Sequence, residues 1–190
     1  FSSWTITAGN DDGIFAINPA TGEITVADNT KLDYETTTSY TLSLTVSDGT
    51  NTSAAESVTI DVNPINDNSP IVTASQSFNV DENAANTTSV GTAVATDADA
   101  GTSFSSWTIT AGNDDGVFAI NAGTGEITIA NNTNLDYETT TSYALSLTVS
   151  DGTHTSTSET VIIDVNPIND ISPIITCCQV FDLVENVNNG

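Results

Sequence analysis

One long string of residues occurs twice in this chain. FSSWTITAGNDDG begins at Phe1 and again at Phe104, and VNPIND begins at Val62 and again at Val165, so both recur at an offset of 103 residues. Residues 1–69 and 104–172 differ at 13 positions, several of them swaps of similar residues such as Ile14 for Val117 or Val26 for Ile129. Stretches this alike must adopt one fold, so the chain is a tandem array whose unit has the length of an ordinary domain. The register runs on to the C-terminus, where PIITCCQVFDLVEN from Pro173 matches PIVTASQSFNVDEN from Pro70. Residues 70–172 are therefore expected to form a complete repeat, residues 1–69 a partial repeat lacking its first two strands, and residues 173–190 the first strand of a further repeat. A copy without its opening strands should leave sheet edges exposed.

Period-2 alternation identifies the elements. Tyr143, Leu145, Leu147 and Val149 point to one side of an extended segment while Ala144, Ser146 and Thr148 point to the other, the pattern of a half-buried strand. The same alternation appears in Val161, Ile163 and Val165, in Trp107 and Ile109, in Phe118 and Ile120, and in Ile127 and Ile129. With segments starting at Ile71 and Ser89, seven strands are predicted. They are separated by turn signals at Gly101, Asn113–Gly116, Thr124–Glu126 and Ser150–Gly152. Seven short strands in about 100 residues predict an all-β fold of tandem Greek-key, immunoglobulin-like β-sandwiches.

Charge narrows the partners. One basic residue, Lys31, stands against 25 Asp and Glu, giving a formal net charge of -24. Such a chain repels nucleic acid and anionic membrane surfaces and attracts cations. No apolar run is long enough to span a bilayer and no signal-like segment opens the chain, so an export or anchoring signal is expected elsewhere in the parent protein. Cys177 and Cys178 are adjacent, a spacing unsuited to a staple between distant strands, and no nearby Cys or His completes a metal set.

Five acidic or glycine-bearing motifs follow one another in fixed order. They are VDEN ending at Asn83, ATDADAG from Ala95 to Gly101, FAINAGTGEI from Phe118, LDYE from Leu135 to Glu138, and NDNSP from Asn66 to Pro70. In this order and at this interval the sequence resembles cadherin repeats, most closely the cadherin-like repeats of bacterial surface proteins. The resemblance implies seven-stranded sandwiches of the cadherin type, with Ca2+ held at the junctions by oxygen ligands drawn from both neighbouring repeats. For the first junction it implies Asp33, Glu35 and Asp67 from the leading copy and Asp97, Asp99 and Asp151 from the following copy. Asn66 would add its side chain and Asn68 its backbone carbonyl. For the second junction it implies Glu82, Asp136, Glu138, Asn169 and Asp170, which is half a site. Two departures matter. Pro64 and Pro167 stand where the family linker has an Asp, removing one carboxylate from each junction, and Tyr34 and Tyr137 replace an Arg that is not a ligand.

Other polar residues have plainer readings. Asp11, Asp12, Asp114 and Asp115 read as solvated turn residues, and Asp151 lies in an SDG turn that needs no metal to explain it. Trp4 and Trp107 fall in alternating strand patterns and read as core. His154 is the only histidine, and the first copy has Asn51 in its place. Nothing resembles a Ser-His-Asp set, a phosphate loop or a His-Glu metal motif, so the chain is read as a non-enzyme. The function implied is an extracellular adhesion segment, at the cell surface or secreted, whose junctions calcium rigidifies. Its partners would be calcium ions and other copies of the protein, surface proteins or polysaccharide. The alternative is a passive calcium-stiffened spacer or a polysaccharide-binding module.

Overall fold

The computed structural model describes residues 3–175 and residue 180; Cys177, Cys178 and most of the strand expected over 173–190 lie outside the described residues. In the leading copy the strands are β1 (Ser3–Ala8), β2 (Phe15–Ile17), β3 (Ile24–Val26), β4 (Ser39–Ser47) and β5 (Glu56–Asp61). The second copy contains β6 (Ile71–Val72), β7 (Ser77–Asp81), β8 (Ser89–Thr92), β9 (Ala95–Thr96), β10 (Ser105–Ala111), β11 (Phe118–Ile120), β12 (Glu126–Ile129), β13 (Ser142–Ser150) and β14 (Glu159–Asn166). One turn of 3-10 helix spans Asn132–Asn134.

The second copy is the β-sandwich that the alternation predicts, with one refinement. Its two opening strands are each broken in two, into β6 and β7 and into β8 and β9. Ser75 adopts a φ of 60°, and the Gln76 side chain fills the gap by donating to the carbonyls of Thr73 and Val94 and accepting from Val94 N–H. The break lets the chain change sheets. β6 pairs antiparallel with β9, whereas β7 pairs parallel with β14 at the edge of the sheet β10-β13-β14-β7. β11, β12 and β8 form the facing sheet.

The inward residues of β13 and β14, Leu145, Leu147, Val149, Val161 and Ile163, are fully buried against Ile127, Ile129 and Val117. Each such side chain contributes about 1.5–3 kcal/mol by leaving water. Phe118 meets Tyr143 edge to face at 5.0 Å, and the Tyr143 hydroxyl donates to the Asn134 carbonyl. Trp107 is buried in this core as its alternation predicts. Gly112 follows a register shift in the β10–β13 pairing. Its φ is +81°, and a Cβ there would lie 1.9 Å from the Ala144 carbonyl oxygen, so only glycine fits.

The leading copy repeats this plan without the opening strands. β1, β4 and β5 form a three-stranded sheet and β2 pairs with β3, and Phe15 stacks edge to face on Tyr40 at 5.2 Å. Matched residues measure what is uncovered. Val58 is 37% exposed where Val161 is 0%, and Val26 is 52% exposed where Ile129 is 1%. An open depression of about 360 Å³, lined by Trp4, Leu44, Val46, Ala54 and Val58 among others, lies on the inner face of this sheet.

The matched pair yields a test. Val161→Ala should destabilise its repeat by about 2 kcal/mol, through lost burial and the cavity left behind. Val58→Ala should cost less than about 1 kcal/mol in the leading copy, because that side chain is already partly in water. Urea unfolding of both variants in calcium-free buffer measures the difference.

Candidate metal centre

The carboxylates gather where the two copies meet. Oxygens of Glu35, Asp67 and Asp99 all lie within 4.8 Å of one another, and so do oxygens of Asp97, Asp99 and Asp151. Asp99 belongs to both clusters. Two oxygens bound to one calcium ion at 2.3–2.6 Å can be at most about 5 Å apart, so each cluster has the span of a shared cation. The first cluster joins the LDYE turn of the leading copy and the linker to the second copy. The second cluster is internal to the second copy.

Local turns aim these groups. Asp97 accepts from Asp99 N–H through Oδ1, and Asp151 accepts from Thr153 and His154 N–H through its Oδ1. In each case one oxygen closes an Asx turn. The second oxygen, Asp97 Oδ2 or Asp151 Oδ2, is buried with no hydrogen-bond partner, although the His154 ring lies 3.8 Å from the latter. Both residues belong to the cluster shared with Asp99. The SDG sequence is thus a turn and a cluster member at once.

Asp99 is compensated by the linker. Asn68 donates to it from both the backbone N–H and the side-chain amide, at 2.9 and 2.8 Å, and the same amide reaches Asp67 Oδ1 at 3.1 Å. The Asn68 amide, together with further backbone donors, holds the Asp99 carboxyl below the usual aspartate range despite burial. Burial raises Asp151, but the N–H groups of His154 and Thr153, with the His154 ring and Asn66, outweigh it and lower the group. Glu35 goes the other way. Loss of solvation pushes it up, reinforced by the charges of Asp99, Asp67 and Asp33. No lysine or arginine relieves this crowding, because the sole one, Lys31, pairs with Asp12 at 3.6 Å on the surface.

The remaining expected residues are placed differently. Asp33 is outside both clusters, and its oxygens accept from Glu35 N–H, Thr36 N–H and the Thr36 hydroxyl. The Thr36 hydroxyl is the main reason its carboxyl is lowered. Asn66 turns its side-chain oxygen toward His154 at 3.3 Å. Asn68, expected to offer its backbone carbonyl, also turns its side-chain amide to Asp99 and Asp67. At the far end of the second copy, Glu82, Asp136 and Glu138 form a third cluster within the same 4.8 Å limit. Glu82 is buried there and accepts from Tyr137 N–H and Ile168 N–H. Asn169 and Asp170 are exposed and outside this cluster. Asp33 and Glu35 are the counterparts of Asp136 and Glu138. His154 was set aside in the sequence, and only its 88-residue approach to Asn66 in space reveals it at the junction.

Among the described residues the clusters offer only carboxylate oxygens, without Cys or His, which suits a hard cation such as calcium better than zinc.

The cadherin domain family matches residues 3–63 and 76–166. The chain belongs to the cadherin family. It is 34% identical to mouse protocadherin Fat 4 over 98% of its own length and 33% identical to human protocadherin Fat 1 over 92%, covering 4% of each of those proteins. Among solved structures, it matches mouse protocadherin-24 EC1-3 with a TM-score of 0.63 at 25% identity, covering 86% of this chain and 54% of that one. The human desmocollin-1 ectodomain matches with a TM-score of 0.64 at 26% identity, covering 86% of this chain and 33% of that one. This cadherin segment is accordingly extracellular. The relatives named are mammalian, and none of them supports the expected kinship with bacterial surface proteins.

Asn68→Ala should raise the Asp99 pKa, because it removes the largest interaction favouring the charged carboxylate. An NMR pH titration of the Asp99 side chain in chelator reads the shift, while Asp33, held by its own threonine, should titrate unchanged.

Proposed function

We propose that this cadherin segment is a calcium-stiffened element of an extracellular adhesion protein, built from a partial repeat at 1–69, a complete repeat at 70–172 and the start of another at 173–190. The reading rests on Asp99, a buried carboxylate shared by two clusters, one of which reaches across the linker to Glu35 and Asp67. Glu35, Asp67, Asp97, Asp99 and Asp151 would hold the cation, with Asn66 and Asn68 adjusting around it. Bound calcium would supply the positive charge that the protein lacks, turning mutual repulsion across the hinge into attraction to a common centre. The shortage of linker carboxylates at Pro64 supports fewer ions here than in a linker with the full acidic pattern. Glu82, Asp136 and Glu138 would form half of the next junction and bind more weakly.

Extracellular calcium modules bind with dissociation constants of about 0.1–1 mM. At ten times that constant one site adds about 1.4 kcal/mol, which should raise the melting temperature by roughly 5–10 °C. Thermal melting with calcium and with chelator tests this, and Asp99→Asn should abolish most of the difference. An unchanged melt, or unchanged interdomain spacing in small-angle scattering, would leave only an acidic β-sandwich. Calcium-dependent clumping of beads coated with the segment separates adhesion from a passive spacer.

Acidification should weaken calcium binding. Glu35 holds its proton to a higher pH than the ordinary glutamate value of 4.5, so its loss as a ligand should begin above that pH. The lowered Asp99 and Asp151 carboxyls should drop out later. Calcium titrations at stepwise lower pH measure the order, and Glu35→Gln should remove the first step.

A further inference from the structure

We propose that His154 gives the junction a second metal site, for a divalent transition ion such as zinc, held by His154 Nδ1, Asp151 Oδ2 and Asn66 Oδ1 and competing with calcium for Asp151. The site is assembled from two places far apart in the chain. Asp151 and His154 lie in the turn between β13 and β14, and Asn66 lies in the linker, 88 residues from His154. The ring brings Nδ1 to 3.3 Å from Asn66 Oδ1 and to 3.8 Å from Asp151 Oδ2. Two donors on one tetrahedral zinc ion, each bound at about 2.0–2.2 Å, stand about 3.4 Å apart. The two separations bracket that distance.

Burial points the same way. The Asp151 side chain is 0% exposed and its Oδ2 accepts no hydrogen bond, a cost that a cation at this oxygen removes. The His154 side chain is 36% exposed, so an ion and its remaining water ligands can enter from solvent. Calcium by itself does not account for the ring, because calcium takes oxygen ligands. An imidazole nitrogen beside a carboxylate oxygen is instead a donor pair suited to zinc, copper or nickel.

The turn does not need the ring either. The leading copy builds it with Asn51, where Asp48 Oδ1 accepts from Thr50 and Asn51 N–H as Asp151 Oδ1 accepts from Thr153 and His154 N–H. What His154 adds is one nitrogen donor directed at the linker. Coordination through Nδ1 uses the neutral tautomer with its proton on Nε2, and the ion then bridges the contact between Nδ1 and Asn66.

Competition follows from the shared carboxylate. Asp151 belongs to the cluster with Asp97 and Asp99, and Asp99 connects that cluster to Glu35 of the leading copy. The zinc set reaches only the linker and the second copy. Zinc therefore withdraws a calcium ligand while tying Asn66 to one side of the hinge, and by linkage each ion weakens the other. This competition rests on the calcium reading above; the zinc site does not.

The 190-residue chain carrying Cys177→Ser and Cys178→Ser, which removes the thiols as zinc ligands, is stripped of metal and titrated with zinc chloride while NMR follows the ring signals of its single histidine. Zinc should shift them saturably, and magnesium should not. In calorimetric calcium titrations, zinc should raise the calcium dissociation constant roughly fivefold or more. His154→Asn, which installs the residue that the leading copy carries in the same turn, should still bind calcium and should abolish that effect. Ring signals that ignore zinc, or that respond equally to magnesium, overturn the site. A ring shift with unchanged calcium affinity overturns the competition, and equal weakening of calcium in both forms overturns the role of His154. If calcium binds neither form while zinc still moves the ring, the calcium reading has failed and the zinc site stands.

Discussion

The junction is governed by an excess of negative charge that the protein cannot neutralise by itself. Five carboxylates, Glu35, Asp67, Asp97, Asp99 and Asp151, converge around a linker of a few residues, and the one lysine of the chain lies elsewhere, paired with Asp12. The structure relieves the crowding with neutral donors. Asn68 gives Asp99 two hydrogen bonds, and the Asx turns at Asp97 and Asp151 each consume one oxygen. What these donors cannot reach is left as orphaned oxygen or as a glutamate held partly toward its protonated form. A dissolved cation would answer the same need with a single charge centre.

Core and junction are coupled through the opening segment of a repeat. β7 covers the β14 edge with Val80, and two residues further along the same segment Glu82 tethers the LDYE turn to the start of the following linker. Burial of the strand therefore also places a charge. The leading copy keeps the same pairing of its strands and the same edge-to-face aromatic pair, Phe15 on Tyr40.

Much of this was legible beforehand because strands impose a period of two and the repeat shows each pattern twice. The buried faces of β13 and β14 follow the alternation residue by residue. The breaks at Ser75 and between Thr92 and Ala95 were not legible, since a strand that changes sheets keeps its local alternation and only its pairing partners change. Among the acidic residues, Glu35, Asp67, Asp97, Asp99 and Asp151 were marked by motif order. That Asp33 turns its oxygens to Thr36 and that the Asn68 side-chain amide reaches Asp99 depends on side-chain torsions that no spacing encodes.

The amino-acid sequence by itself determined the repeat length, the all-β class, the inward face of each strand and the shortage of positive charge, because all of these are set by local periodicity and composition. Tertiary structure alone decided which carboxylates share a centre, that Asp99 serves two clusters, and that His154 meets Asn66. These depend on how distant turns are carried together by sheet pairing and linker geometry, and distance in space is not a function of distance along the chain.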